Sequence, residues 1–232
     1  MADVTKEPQY ARNIELRDTL GLERMGLVIN QNWYDDPRRV LFIFSRYKFV
    51  GKMLCGMGHV LEVGCGDGTG SRLVLQEVDA ITAIDFDPVF VNDVKARMTE
   101  RWAFDCRVHY MLTGPATKRD GSLFDAAYSI DVIEHISKQN EEIFVSNISK
   151  SLKDDGVFIV GSPSLESQPW ASPPSKAGHV NCMTGADLKS LCQRFFANVF
   201  LFSMNDEVVH TGFSPMAHYL IALCVAPRRS QR

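Results

Sequence analysis

Glycines at positions 64, 66, 68 and 70 follow an apolar run that ends in Glu62-Val63. Lacking Cβ atoms, Gly64 and Gly66 let backbone amides approach a bound molecule closely. The carboxylates of Glu62 and Asp67 flank them. A dinucleotide fingerprint G-x-G-x-x-G would place its third glycine at position 69, where this chain has Thr69. Glu62 and Asp67 would also repel a pyrophosphate, whereas a ligand carrying an ammonium and a sulfonium would be attracted. About twenty residues on, Asp85 closes a second apolar run, where a carboxylate can accept hydrogen bonds from both hydroxyls of a ribose. Phe86 beside it could pack on adenine, and Asp87 before Pro88 suits a helix N-cap.

A second group is built for proton or metal chemistry. Asp131, Glu134 and His135 fall at i, i+3 and i+4, so on a helix they share one face. That spacing serves an acid-base pair or a metal ion. It equally serves architecture, with Asp131 as a cap, Glu134 in the capping-box position and His135 filling the fold. His179 follows a Pro- and Ser-rich stretch and by position is the leading general base, although backbone partners could equally satisfy it. Asp206 and His210, in a later loop, are further candidates.

The runs V-L-E-V-G-C-G-D-G (60–68), I-D-F-D-P (84–88) and F-D-A-A-Y-S-I-D-V-I-E-H-I (124–136) resemble successive motifs of class I methyltransferases. The likeness extends over roughly residues 38–200. It implies S-adenosylmethionine as cofactor, its methionine end against Glu62, Gly64 and Gly66; the carboxylate of Asp67 and the ribose and adenine positions at Asp85 and Phe86, read from charge and position, complete the expected cofactor site. It further implies a backbone contact at Ile130 and a grip on the methionine carboxylate by Arg46. Thr113 stands near a position where the family often has an acidic residue close to adenine, and could still make a hydrogen bond. Asp131 to His135 most resembles the E-x-x-E-H stretch of ubiquinone-biosynthesis O-methyltransferases, which is associated with a divalent metal. Asp131, Glu134 and His135 are therefore candidate ligands for Mg or Mn. The catalytic candidates are His179, His135 and Asp131. No Asp/Asn-Pro-Pro-aromatic turn and no Pro-Cys nucleophile follow the fourth strand, which argues against nucleobase methylation. Trp170, His179 and Phe213 are compatible with a small polar or sugar-containing acceptor. The expected reaction is O-methylation of a small molecule or glycan precursor. Alternatives are N-methylation of a small amine or protein side chain, or a cofactor-binding scaffold without catalysis.

These residues need a frame to hold them. Short apolar runs near Val60–Val63, Ala80–Ile84, Arg107–Leu112, Asp125–Ile130 and Val157–Gly161 alternate with helical patterns, which predicts a parallel sheet covered on both faces. Asn198–Ser203 and Ala217–Val225 follow without an intervening helix and predict an antiparallel edge hairpin. The expected class is α/β, a Rossmann-like, seven-stranded, mostly parallel sheet with helices on both faces. A helix is expected from Asp36 to Gly51 and another from Thr184 to about Phe196. Residues 162–180 read as a lid-like loop, and residues 1–35 as an extension or cap with a helix around Ala11–Leu20.

Composition bounds the rest. The 232 residues suit one catalytic domain, here 36–232. With 25 basic and 28 acidic residues the formal charge is -3, which gives no footprint for nucleic acid. Six cysteines without a C-x-x-C pair and a polar start fit a cytoplasmic protein. No apolar run approaches the ~18 residues of a membrane span. A homodimer is left open.

Overall fold

The computed structural model describes residues 5–229. The apolar runs become strands β1 (His59–Val63), β2 (Ala80–Asp85), β3 (Asp105–Val108), β4 (Phe124–Ile130), β5 (Leu152–Pro163), β6 (Phe196–Asn205), β7 (Val208–His210) and β8 (Tyr219–Pro227). They form one sheet in the order β3-β2-β1-β4-β5-β8-β6-β7. The five strands from β3 to β5 are parallel, β8 runs antiparallel between β5 and β6, and β7 is antiparallel to β6. Strand order reverses between β1 and β4, and the carboxyl ends of strands at such a switch point form the usual ligand crevice of an open α/β sheet. The Rossmann-like, mostly parallel architecture is as expected. The sheet has an eighth strand, because the three residues of β7 pair with β6 inside the expected loop.

Among the described residues the helices are α1 (Ala11–Leu20), α2 (Leu27–Asp35), α3 (Arg38–Met53), α4 (Thr69–Val74), α5 (Pro88–Arg97), α6 (Glu141–Ser151), α7 (Pro173–Gly178) and α8 (Gly185–Gln193). Strand residues alternate between the two faces. Leu61, Ala127, Phe158 and Val160 pack with Phe144, Ile148, Leu188 and Leu191 of α6 and α8. Val60, Ala126, Tyr128 and Ile159 pack with Tyr47, Val50, Val74, Val91 and Val94 of α3, α4 and α5. This period of two, with apolar residues on both sides, is what a sheet buried between helical layers requires. Asp87 caps α5 by accepting the Val89 N–H at 2.8 Å, and Thr184 caps α8 by accepting the Asp187 N–H at 3.1 Å.

Several boundaries differ from the sequence reading. β3 lies earlier than expected: β2 ends at Asp85, the partner of Val108, and the chain then turns with Thr113 N–H donating to Tyr110 O. Residues 162–180 are not a bare loop. They carry a 3-10 turn (Gln168–Trp170) and α7, capped by Ser172, and Leu165 N–H bonds Met183 O at 2.9 Å. Residues before position 36 contain α2 as well as α1. Among the described residues no helix is long and apolar enough to cross a membrane.

Candidate functional site

The glycine loop joins β1 to α4 under backbone constraints that explain its composition. Gly64, Gly66 and Gly68 have φ of 78°, 50° and 67°, in the left-handed region. At Gly64 a Cβ would also lie 2.3 Å from Val132 Cγ2. Asp85 ties the loop to β2, its Oδ2 accepting the Gly66 N–H and its Oδ1 the Asp87 N–H, each at 3.0 Å. Glu62 is 1% exposed and accepts the Ser71 hydroxyl, while its Oε1 has no partner. Burial pushes its carboxyl up to about 8. Asp67 reaches across the chain: Oδ2 accepts the Ile29 N–H at 2.8 Å and Oδ1 the Thr69 N–H at 3.0 Å. Asp67 therefore caps α2, and the helix lies over the loop.

Two cavities run along this edge. One of about 130 Å³ is lined by Val28, Ile29, Gly64, Gly66, Ile130 and Asp131, among others. The other, of about 40 Å³, is lined by Asp85, Phe86, Tyr110, Met111 and Val132, among others. The rings of Phe86 and Tyr110 have centroids 5.8 Å apart. Thr113 lies outside both linings; it is exposed and its hydroxyl donates to Tyr110 O at 2.8 Å. His109, Tyr110 and Met111 take the place expected of it.

On the other side of Asp131 opens a cavity of about 460 Å³ between α2, α3, the 3-10 turn Ile133–His135 and α7. Asp131 has φ 58°, a conformation unusual for a residue with a Cβ. Its Oδ2 accepts from Arg46 Nη1 at 2.6 Å. The Arg46 guanidinium also lies 3.8 Å from the centre of the Tyr219 ring. Arg46 lines the larger cavity and is absent from the lining at the glycine loop.

Glu134, His135 and His179 each bring one potential ligand atom within 4.8 Å of the others. Glu134 is 1% exposed, and its Oε2 has no hydrogen-bond partner. Burial, reinforced by the Asp131 charge, holds its carboxyl well above the usual range. His135 Nδ1 is 2.8 Å from Gly178 O, and His179 Nδ1 is 3.0 Å from Gln168 Oε1. Carbonyl oxygens only accept, so Nδ1 donates in both rings, which leaves Nε2 as the nitrogen that bears the lone pair in a neutral ring. Burial, followed by the His135 charge, lowers the pKa of His179 and favours its neutral form. The chain is held here by Val180 N–H and Asn181 N–H, both donating to Glu134 O.

The expected ligand set of Asp131, Glu134 and His135 is thus corrected. Residues 133–135 form a 3-10 turn instead of an α-helical face, and Asp131 is turned to Arg46, so His179 completes the cluster. Asp206 and His210 sit at the β6–β7 edge, where His210 Nε2 is 2.9 Å from Asn205 Oδ1, and neither lines the cavity. Trp170 does line it, while Phe213 is exposed elsewhere. The sequence reading missed Asn32 of α2 and Arg39 and Phe42 of α3. The helical spacing of 39, 42, 43 and 46 was the signal that could have found the last two.

Comparison with known proteins bears on the fold that carries this site. Residues 61–158 match the methyltransferase domain family. A probable S-adenosylmethionine-dependent methyltransferase of Mycolicibacterium smegmatis is 30% identical over 154 residues, covering 65% of this chain and 57% of the relative. A homologous probable methyltransferase of Mycobacterium tuberculosis is 29% identical over 154 residues, covering 64% of this chain and 53% of the relative. The chain therefore spans little more than half the length of these relatives. Among solved structures, the N-methyltransferase NodS of Bradyrhizobium japonicum, in complex with S-adenosyl-L-homocysteine, superposes with a TM-score of 0.58 at 17% identity, covering 83% of this chain and 88% of that one. Over residues 61–158 the sequence matches a methyltransferase domain, and the sheet that carries the glycine loop is similar in fold to that of S-adenosylmethionine-dependent methyltransferases of class I.

Proposed function

We propose that this protein binds S-adenosylmethionine along the glycine loop and transfers its methyl group to an oxygen of a small molecule or sugar-containing precursor in the 460 Å³ cavity. The observation that carries this reading is that Asp131 belongs to both linings, so the cofactor edge and the larger cavity meet at one wall. The residues suit the cofactor in type: Asp85 stands at a strand end fitted to the ribose, Phe86 and Tyr110 offer aromatic surface beside it for adenine, and Gly64 admits close approach. When bound, the cofactor supplies an electrophilic methyl on a cationic sulfur.

The chain's own residues then position the acceptor and accept its proton. In-line displacement depends on alignment and on exclusion of water, which α2 and α7 favour by walling the cavity. His179 has a lone pair on Nε2 and an environment that disfavours its charged form, so it can take a hydroxyl proton near neutral pH. A general base of this kind contributes about 10²–10⁴ in rate. We expect His179→Ala to lower turnover at least a hundredfold while the affinity for S-adenosylhomocysteine, read by calorimetry, stays at the wild-type value. Unchanged turnover rejects this role, and methyl transfer only to amines rejects the oxygen acceptor.

A divalent cation at Glu134, His135 and His179 is a second reading, favoured by the orphaned carboxylate oxygen of Glu134. Nδ1–H bonds to carbonyl oxygens are the usual means of orienting metal-binding imidazoles. Such an ion would polarise an acceptor oxygen. Two imidazoles in place of one shift the preference away from Mg toward Mn or Zn. Calorimetric titration of Mn into chelator-treated protein should show one site, lost in Glu134→Gln. No binding in the wild type excludes the cation.

A further inference from the structure

The larger cavity carries one feature that neither methyl transfer nor the cation site uses. Arg39, Phe42, Ile43 and Arg46 of α3 all line it, at i, i+3, i+4 and i+7, so one face of the helix forms a wall. Of the two arginines in the lining, only Arg46 has an ion-pair partner among the described residues. Asp36 is taken by Arg38 through two bonds of 2.9 Å. Asp131 is taken by Arg46, and Glu134 lies buried at the base beside the two imidazoles. Arg39 is half-buried in the wall; its charge acts on Asp36, yet among the described residues its guanidinium makes no ion pair or hydrogen bond, so its fork is open to a ligand. A half-buried arginine in a wall that also holds Phe42 presents a planar fork matched to a carboxylate, phosphate or sulfate.

We infer that the acceptor is an organic anion and that Arg39 is the residue that recognises its charged group. Arg39 and Arg46 are seven positions apart on the helix, or roughly 10 Å along the axis. The anionic group is therefore held at the outer end of the cavity, away from the atom that is methylated beside Asp131. The cavity volume of about 460 Å³ suits a molecule of metabolite size. This inference rests on the methyltransferase reading proposed above and adds the charge class of its substrate.

The test uses the full-length protein, radiolabelled S-adenosylmethionine and a small-molecule cell extract split by ion exchange into anionic, neutral and cationic fractions. Label incorporated from the anionic fraction is the expected result. Label incorporated only from the neutral or cationic fraction overturns the inference and leaves the methyltransferase reading standing. No label from any fraction overturns both. With the anionic fraction as acceptor, Arg39→Gln should raise the half-saturating concentration at least tenfold, with maximal turnover within twofold of wild type and unchanged affinity for S-adenosylhomocysteine. Arg39→Lys should recover part of the loss, since it restores charge without the fork. An equal response of wild type and Arg39→Gln to acceptor concentration overturns the assignment of Arg39.

Discussion

Glu62 shows how far a residue's chemistry depends on its surroundings. Its type and place at the end of β1 mark it as part of a cofactor loop, yet its carboxyl is enclosed, bonded to Ser71 on one oxygen and unpaired on the other. With a folded-state pKa of about 8 against an ordinary value of 4.5, the folded protein holds this proton more tightly than the unfolded chain does. The resulting stabilisation is complete below pH 4.5 and is lost as pH rises through about 8. Denaturant melts at a series of pH values should show wild type losing stability relative to Glu62→Gln across that interval. Equal slopes would show that Glu62 is ionised throughout. Asp131 teaches the same lesson through the backbone, since its left-handed φ decides where the carboxylate points.

At the scale of elements, α2 is the piece that the glycine loop recruits. Its amide at Ile29 is capped by Asp67, and Gly26 passes so close that a Cβ there would meet Asp67 Cβ at 2.2 Å. Gly26 has φ -73°, so alanine would fit the backbone there, but the nearest conflict is with Asp67 Cβ, which is fixed by the loop, so the start of α2 must move away from Asp67. Gly26→Ala should therefore displace the cap at a cost of about 0.5–2 kcal/mol, confined to the docking of α2. Hydrogen exchange over residues 27–35 should accelerate while the strands keep their protection. Unchanged exchange in α2 would show that the cap does not hold it. Val28 and Ile29 of α2 form one wall of the cavity of about 130 Å³ at the glycine loop.

For the whole molecule, the loop, β2 and α2 are joined through Asp85 and Asp67, and a ligand seated there must act on all three. Saturating S-adenosylhomocysteine should raise the melting temperature, with a gain that grows with the ratio of ligand to Kd. NAD at equal concentration should leave it unchanged. A shift with NAD and none with S-adenosylhomocysteine would overturn the cofactor assignment.

Much of this frame was legible in the sequence, because its determinants are local. Alternating apolar runs specify strands buried on both faces, a glycine where φ must be positive specifies a tight turn, and Asp87 and Thr184 announce helix starts within their own neighbourhoods. The register of β3 and the existence of β7 were less legible, since each depends on where a partner strand ends. Tertiary structure alone decided the pairings within the site. Arg46 and Asp131 are 85 residues apart in the chain, Ile29 and Asp67 are 38, and His135 meets His179 across a turn and a short helix. Such meetings depend on which elements the sheet order brings to one edge and on how far burial removes water from them. Spacing along the chain encodes backbone conformation, whereas charge pairing, proton affinity and metal geometry arise only when distant segments share a low-dielectric space.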